Sequence, residues 1–353
     1  MCRRQRLVAP AGTTTHVNFQ RIRHEVMAAG QWKRVAAGGP TVFDGASGVE
    51  PAEDKFVEQI ASAGDLAAIA AVCTTADGLP RHADDAAARE RFRNELAKAL
   101  HAHLARVSDH PAFVHWLDTY FGVRRVEFRS RLQQPNFLYY PALPPTAWFD
   151  TGDVPELLSL RNRIGEVSDE LRGFLASTQT FSPYVPAESR RDPRWSGLAD
   201  NLAWSAMHLL RREAWNEPVL AGLPRTRSFL MDAPLAQYPP HAPECFISRL
   251  LPGVVLPPHF GLSNIKLTVH LPVDLPPEGC TITVANVTRS WSPDDFLIFD
   301  DSFLHSAANL AAASRTVLIF DTWHPGLSDV ERTALAYSIQ ALDRVKSAVG
   351  DRL

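Results

Sequence analysis

The sequence predicts an α+β chain whose C-terminal part is a β-barrel or sandwich, such as a jelly roll, with helices before and after it. Two observations carry this expectation. From Cys245 onward apolar residues recur with a period of two, punctuated by Pro, Gly, Asn and Asp turns. Upstream, the apolar positions recur at three and four residues, the spacing of helix faces, and no internal repeat is visible. The chain has 353 residues, 45% of them hydrophobic and 21% charged, enough to bury a substantial core. A balance of 36 Lys+Arg against 39 Asp+Glu, net −3, gives no electrostatic reason to expect a nucleic-acid partner. Four scattered cysteines (Cys2, Cys73, Cys245, Cys280), with no C-x-x-C pair, argue against a disulfide scaffold or a thiolate zinc site. No apolar run approaches the roughly 18 residues of a membrane span. Arg3, Arg4 and Arg6 are not followed by the apolar stretch of a secretory signal. The expectation is a cytoplasmic protein with no membrane partner.

Taken in order, residues 1–50 read as a weakly structured tail: the first forty carry seven basic residues against one acid, Glu25. Residues 51–135 read as a helical region. One helix is expected over 52–72 and a second over 84–107, where Phe92, Leu96, Leu100 and Leu104 fall four apart on one face. A third, shorter segment is expected to be capped by Asp109, with Pro111 early in it and Phe113, Trp116, Leu117 and Tyr120 following. His101 and His103 lie two apart and do not share a helix face, and together with His110 and His115 they read as surface or core residues. The third region is 136–353. It opens on a β-like run at 137–141. A helix follows over 154–175, with Leu157, Leu160, Ile164, Val167, Leu171 and Leu175 on one stripe. Residues 201–212 fit either a short helix or a strand. Strands are expected at 245–251, 265–271, 280–285, 296–299 and 315–322, and a closing helix at 330–349.

Three features offer chemistry. On the strand 265–271, Ile265, Leu267, Val269 and Leu271 share one face, and Lys266, Thr268 and His270 the other. That polar face either meets water or, in a small barrel, lines a pocket. On the last strand Arg315, Val317, Ile319 and Asp321 share a face, and Arg315 is suited either to a rim or to holding a carboxylate through two N–H groups. His259 and His305 lie 46 residues apart beside different strands, a separation that suits two imidazole ligands of a first-row divalent metal. A carboxylate two residues after the first histidine would complete a facial triad, but that position is Gly261.

The strings 246–253 (FISRLLPG), 258–264 (PHFGLSN), His270-Leu271, 300–305 (DDSFLH) and 315–325 (RTVLIFDTWHP), taken together, resemble the aspartyl/asparaginyl β-hydroxylase family. Weaker similarity runs back through 224–226 and Trp204 to 137–141. The resemblance implies an Fe(II)/2-oxoglutarate-dependent oxygenase with a double-stranded β-helix core over 136–353. It implies His259 and His305 as iron ligands, with a glycine at 261 normal for the family. It further implies Arg315 and Ser248 on the distal carboxylate of 2-oxoglutarate and His270 at its chelating end. Asp300 and Asp301 would be supporting groups that fix the His305 loop. Oxygen, iron and 2-oxoglutarate are the implied cofactors, and hydroxylation of an unactivated C–H, at the β-carbon of an amino acid, is the implied reaction.

One departure stands out. Peptide-hydroxylating members carry basic residues at the positions of Lys266 and Thr268, where this chain reads Lys-Leu-Thr-Val-His. A free or carrier-bound amino acid, with a carrier protein as partner, is therefore as consistent with the residues as a peptide. Two other outcomes stay open at this level: halogenation at the coordination position that Gly261 leaves free, and a non-catalytic cupin-like binding or scaffold protein.

Overall fold

A computed structural model describes residues 86–178 and 180–349, with side chains omitted for 86–93, 95, 348 and 349. The expected tail at 1–50, the helix expected at 52–72 and the side chain of Phe92 lie outside the described residues.

The helices are α1 (Ala86–Leu104), α2 (Pro111–Tyr120), α3 (Pro155–Leu158), α4 (Ile164–Ser177), α5 (Glu217–Leu220), α6 (Pro224–Asp232) and α7 (Asp329–Val349). The strands are β1 (Trp148–Phe149), β2 (Ser182–Pro183), β3 (Trp204–Arg211), β4 (Ala214–Trp215), β5 (Cys245–Leu250), β6 (Val254–His259), β7 (Lys266–Asp274), β8 (Cys280–Val284), β9 (Val287–Arg289), β10 (Leu297–Phe299), β11 (His305–Asn309) and β12 (Arg315–Trp323). They form two antiparallel sheets. The larger runs β1-β10-β7-β12-β5-β3-β2, with β4 hanging on β3, and the smaller runs β6-β11-β8-β9. Leu250, Leu297 and Phe299 of the larger sheet share one apolar cluster with Leu256, Ile282, Val284 and Ala307 of the smaller, so the two sheets pack face to face. This is the double-stranded β-helix architecture.

β7 shows how sequence alternation becomes layering. Leu267, Val269 and Leu271 point away from the smaller sheet and pack with Leu157, Ile164, Val167 and Leu171 of α3 and α4 and Phe229 of α6. Lys266, Thr268 and His270 point between the sheets, so every residue of the strand except Asp274 is buried. A strand covered on both faces is normally apolar throughout. Three buried polar side chains on the inner face of this one mark the interior as more than packing. A second apolar cluster joins Leu96, Leu100 and Leu104 of α1 and Phe113, Trp116 and Leu117 of α2 to Leu335 and Ile339 of α7 and to Tyr140 and Tyr238.

Several elements differ from the sequence expectation. The helix expected at 154–175 is two α-helices separated by a 3-10 turn at Arg161–Arg163, yet Leu157, Leu160, Ile164, Val167 and Leu171 all remain buried. The cap of α2 is His110, not Asp109, and its side chain makes no capping bond; Pro111 holds the first turn. The ambiguous stretch 201–212 is strand β3. Residues 137–141 form no strand, only a bridge from Leu138 to Ser263. Strands β6 and β11 were not expected. β6 contains Pro257 and Pro258, which read as a turn but are tolerated because β6 is an edge strand. The β8–β9 hairpin turns at Ala285 and Asn286, both with positive φ, a conformation that asparagine tolerates well.

Candidate active site

The register of the smaller sheet sets the centre of the site. His259 ends β6, His305 begins β11, and the two are directly paired across the sheet. Their ring centroids are 4.0 Å apart. Each Nδ1 lies 2.8 Å from a backbone carbonyl two residues back, Pro257 for His259 and Phe303 for His305. A carbonyl can only accept, so each Nδ1 carries the hydrogen and each Nε2 of the neutral ring carries the lone pair. Backbone carbonyls that fix the tautomer in this way are the usual outer partners of metal-ligating histidines. Burial, then the charge of its partner imidazole, pushes His259 down to about 3, and burial lowers His305 as well, so both rings are neutral donors near pH 7.

No set of three or more His, Cys, Asp or Glu side chains poised to hold a metal ion occurs among the described residues. Gly261 shows why the pair has no carboxylate from its own strand end. A Cβ built there would lie far inside contact distance of the Asp301 carboxylate, carbon and both oxygens. The Gly261 N–H also donates to the Asp301 carbonyl at 2.6 Å, which locks the two backbones together. Asp301 therefore occupies the space a side chain at 261 would need, and its negative charge is felt by both imidazoles.

Both histidines line a cavity of about 400 Å³ together with Ser248, Lys266, Thr268, His270, Asp301 and Arg315. That volume is ordinary for a small-molecule site. Arg315 is 2% exposed, and its Nε and Nη1 have no hydrogen-bond partner among the described residues. Burial brings its guanidinium down to about 10, so it stays charged. A buried, charged and unpartnered guanidinium costs several kcal/mol unless an anion joins it. Ser248 sits beside it in the sheet, opposite Val317. Trp204 Nε1 donates to Ser248 Oγ at 3.2 Å, which leaves the hydroxyl hydrogen free to donate elsewhere.

Trp291 completes this end, and nothing in the sequence singled it out. Its ring lies 5.0 Å from the Arg315 guanidinium and is parallel to the His270 ring, at an interplanar angle of 2°. Its Nε1 donates to His270 Nδ1 at 3.2 Å. An indole N–H only donates, so Nδ1 of His270 accepts and Nε2 carries the hydrogen. Burial, then Arg315, holds His270 well below the usual imidazole range, so the ring is neutral and offers one N–H. Arg315, Ser248 and His270 thus present only donors. Substituting Trp291 by Phe keeps the ring but removes the donor. Nitrogen NMR correlations of His270 should then change from a single Nε2–H tautomer to a mixture; an unchanged tautomer would show that Trp291 does not set it.

The other expected residues are accounted for. Asp300 is fully buried and accepts from Gln133 Nε2 at 2.9 Å and from the Ser302 N–H at 2.9 Å, pinning the 300–305 loop without reaching the cavity. Lys266 donates to Asp301 at 2.9 Å, to Asp321 at 2.8 Å and to Thr268 at 3.2 Å. Burial alone would lower its pKa, but the two carboxylates outweigh this and keep it charged. His324, in the FDTWHP string, is not in the cavity; it packs on Phe149 and accepts from the Gly326 N–H. Sequence reasoning missed Trp291, Gln133, Glu244, Tyr184 and Trp195. The signal for Trp291 was weak: a large aromatic in an otherwise polar loop.

Six buried or half-buried histidines (His208, His241, His259, His270, His305, His324) have pKa values depressed chiefly by burial. Unfolded, each would titrate near 6.5, so below that pH the unfolded chain binds more protons and the folded state loses stability. Asp300, Glu244 and Asp321 are raised by burial and act in the opposite sense. With six groups against three, the urea midpoint of the metal-free chain should fall as the pH is lowered from 7.5 to 5.5. A midpoint that rises over that interval would contradict the burial of these rings.

Fold and site together define a double-stranded β-helix with a two-histidine centre and an anion-seeking arginine. Residues 161–325 match the model of the family described as Aspartyl/Asparaginyl beta-hydroxylase, so the barrel segment of this chain carries that family's sequence. The mouse (Mus musculus) protein named aspartyl/asparaginyl beta-hydroxylase is 34% identical over 248 residues, covering 69% of this chain and 31% of that protein. Mouse aspartate beta-hydroxylase domain-containing protein 2 is 39% identical over 94 residues, covering 26% of this chain and 27% of that protein. The chain thus spans about a third or less of the length of these relatives. Among solved structures, a Pseudomonas putida prolyl-4-hydroxylase aligns with 46% of this chain and 99% of its own at 14% identity and a TM-score of 0.24, too low to bear on the fold, which rests on the strand pairing. No helix among the described residues is long and apolar enough to cross a membrane.

Proposed function

We propose that the chain is an Fe(II)/2-oxoglutarate-dependent oxygenase that hydroxylates an unactivated C–H of a small-molecule or peptide substrate. The observation that carries this reading is one cavity that joins two neutral, tautomer-fixed imidazoles to a buried guanidinium with no counter-anion among the described residues. The donor set fits the implied groups. Two Nε2 lone pairs suit a first-row divalent metal, and a dianionic cosubstrate supplies what Arg315 lacks. When bound, iron and 2-oxoglutarate supply the oxidising chemistry, with O2 consumed and succinate and CO2 released.

The chain's own residues do the rest. His259 and His305 would hold the metal through their Nε2 lone pairs. Arg315, assisted by the Ser248 hydroxyl, holds the distal carboxylate of the cosubstrate, and the His270 N–H donates to its other end. Burial of all three excludes water from these bonds and strengthens them. Asp301 stands where a ligand from position 261 would be. Its negative charge there disfavours chloride beside the metal, and for that reason hydroxylation is favoured over halogenation.

The test is anaerobic titration of the full chain with Fe(II) and 2-oxoglutarate, followed by the visible charge-transfer band of the chelate. A band is expected in the natural chain and none in His259→Ala, which should also lose at least about 100-fold in succinate production, the scale on which a lost first ligand or its partner acts. Succinate production unchanged in His259→Ala would reject the ligand assignment. No band and no succinate from the natural chain would favour the non-catalytic cupin-like binder.

A further inference from the structure

The cavity has a second end, opposite Arg315, and its electrostatics differ. Along β7 the step from His270 to Lys266 is four residues, about 13 Å at a strand's rise, so the two ends are far enough apart for a cosubstrate and a separate substrate group. Lys266 is the cation expected at this end. An ammonium has three hydrogens, and all three are used, on Asp301, Asp321 and Thr268. Thr268 brings no charge. Beyond Lys266 the wall is acidic. Asp321 accepts from the Glu244 N–H at 3.0 Å, and Glu244 itself lines the cavity, tied through one oxygen to Arg211 at 3.0 Å on the rim. Two cations therefore face three carboxylates. His241, also in the lining, is kept neutral by burial. Aromatic rings form part of the remaining wall: Tyr184 stacks on Trp204 at 4.1 Å and on Phe246 at 5.3 Å, with Trp195 beside Trp204.

We propose that this end receives a positively charged nitrogen group of the substrate, an ammonium or guanidinium, and not a carboxylate. The inference rests on the oxygenase reading above, in that the Arg315 end is assigned to the cosubstrate. A substrate carboxylate, the group in the names of the relatives, would meet Asp321 and Glu244 with no uncommitted cation at this end among the described lining residues to hold it, and burying like charges together is costly. A cation meets the surplus carboxylate and the faces of the aromatic rings, and both attract it.

The test uses the full chain and four probes: the amides of N-acetyl-lysine, N-acetyl-arginine, N-acetyl-aspartate and N-acetyl-norleucine, the last an uncharged match for lysine. Binding is measured by saturation-transfer NMR with Mn(II) and 2-oxoglutarate omitted, and cosubstrate binding is measured separately with both present. The lysine or arginine amide is expected to bind at least about 10-fold more tightly than the aspartate and norleucine amides, a difference of about 1.4 kcal/mol. Glu244→Gln should shrink that preference, and Thr268→Arg should shift it towards aspartate. The proposal is overturned if aspartate binds as well as lysine and arginine, if norleucine matches them, if no probe binds, or if neither variant alters the order. Loss of Mn(II) and 2-oxoglutarate binding with the cation preference intact would sink the oxygenase reading alone.

Discussion

Arg315→Met should make the ligand-free chain more stable while removing most of its response to 2-oxoglutarate. The natural side chain is a buried cation whose Nε and Nη1 have no hydrogen-bond partner among the described residues, with the face of Trp291 beside it. Methionine fills much of the same volume without a charge to desolvate. Replacing buried ionic groups by apolar ones of similar size is often stabilising by about 1–4 kcal/mol, and the loss of the stacked contact offsets about 1 kcal/mol of that. The ligand-free urea midpoint is therefore expected to rise. Cosubstrate at 100 times its dissociation constant for the natural chain should stabilise that chain by about 2.7 kcal/mol and the variant by less than about 1 kcal/mol. Truncating one partner of a buried charge pair costs about 2–5 kcal/mol, so the 2-oxoglutarate requirement should rise by at least about 30-fold, with metal affinity little altered. A variant less stable than the natural chain without ligand would mean that Arg315 already has an anion in the folded state. An unaltered 2-oxoglutarate requirement would remove it from the cosubstrate site.

The second large effect is at Gly261. Gly261→Asp drives a side chain into the Asp301 carboxylate and sets two carboxylates against each other in a largely buried place. Overpacking and like-charge burial together should cost at least about 3 kcal/mol and abolish metal binding. Adding Asp301→Gly removes the obstacle. The double variant should recover most of the lost stability, with a coupling energy of about 2 kcal/mol or more. It should also bind metal more tightly than the natural chain, because the new carboxylate completes a facial triad with His259 and His305. Strictly additive losses in the double-mutant cycle would show that Asp301 does not fill the space in front of residue 261.

The sequence made some of this legible and left some of it closed, for reasons that differ by residue. The inner face of β7 was readable because strand alternation is local: once Leu267, Val269 and Leu271 were assigned to one side, Lys266, Thr268 and His270 had to share the other. The same holds for Arg315 and Asp321 on β12. β6 and β11 were hidden, since Pro257 and Pro258 imitate a turn and the run His-Ser-Ala-Ala-Asn has little strand character. Yet these two strands carry the histidines. Their roles had to come from motif resemblance, and periodicity contributed nothing there.

Local pattern, then, determined which side chains would share a face, because a pleated backbone repeats every two residues whatever surrounds it. Only the tertiary structure decided what those faces meet. It brought residues 46 apart in the chain into direct register as a pair of imidazoles, put Trp291 on the far side of His270, and set the Asp301 carboxylate in front of Gly261. It also decided that the charge of Lys266 is spent within the protein. Whether an ammonium is free or committed depends on which carboxylates stand within about 3 Å of it, and those come from β12 and the 300–305 loop, far away along the chain.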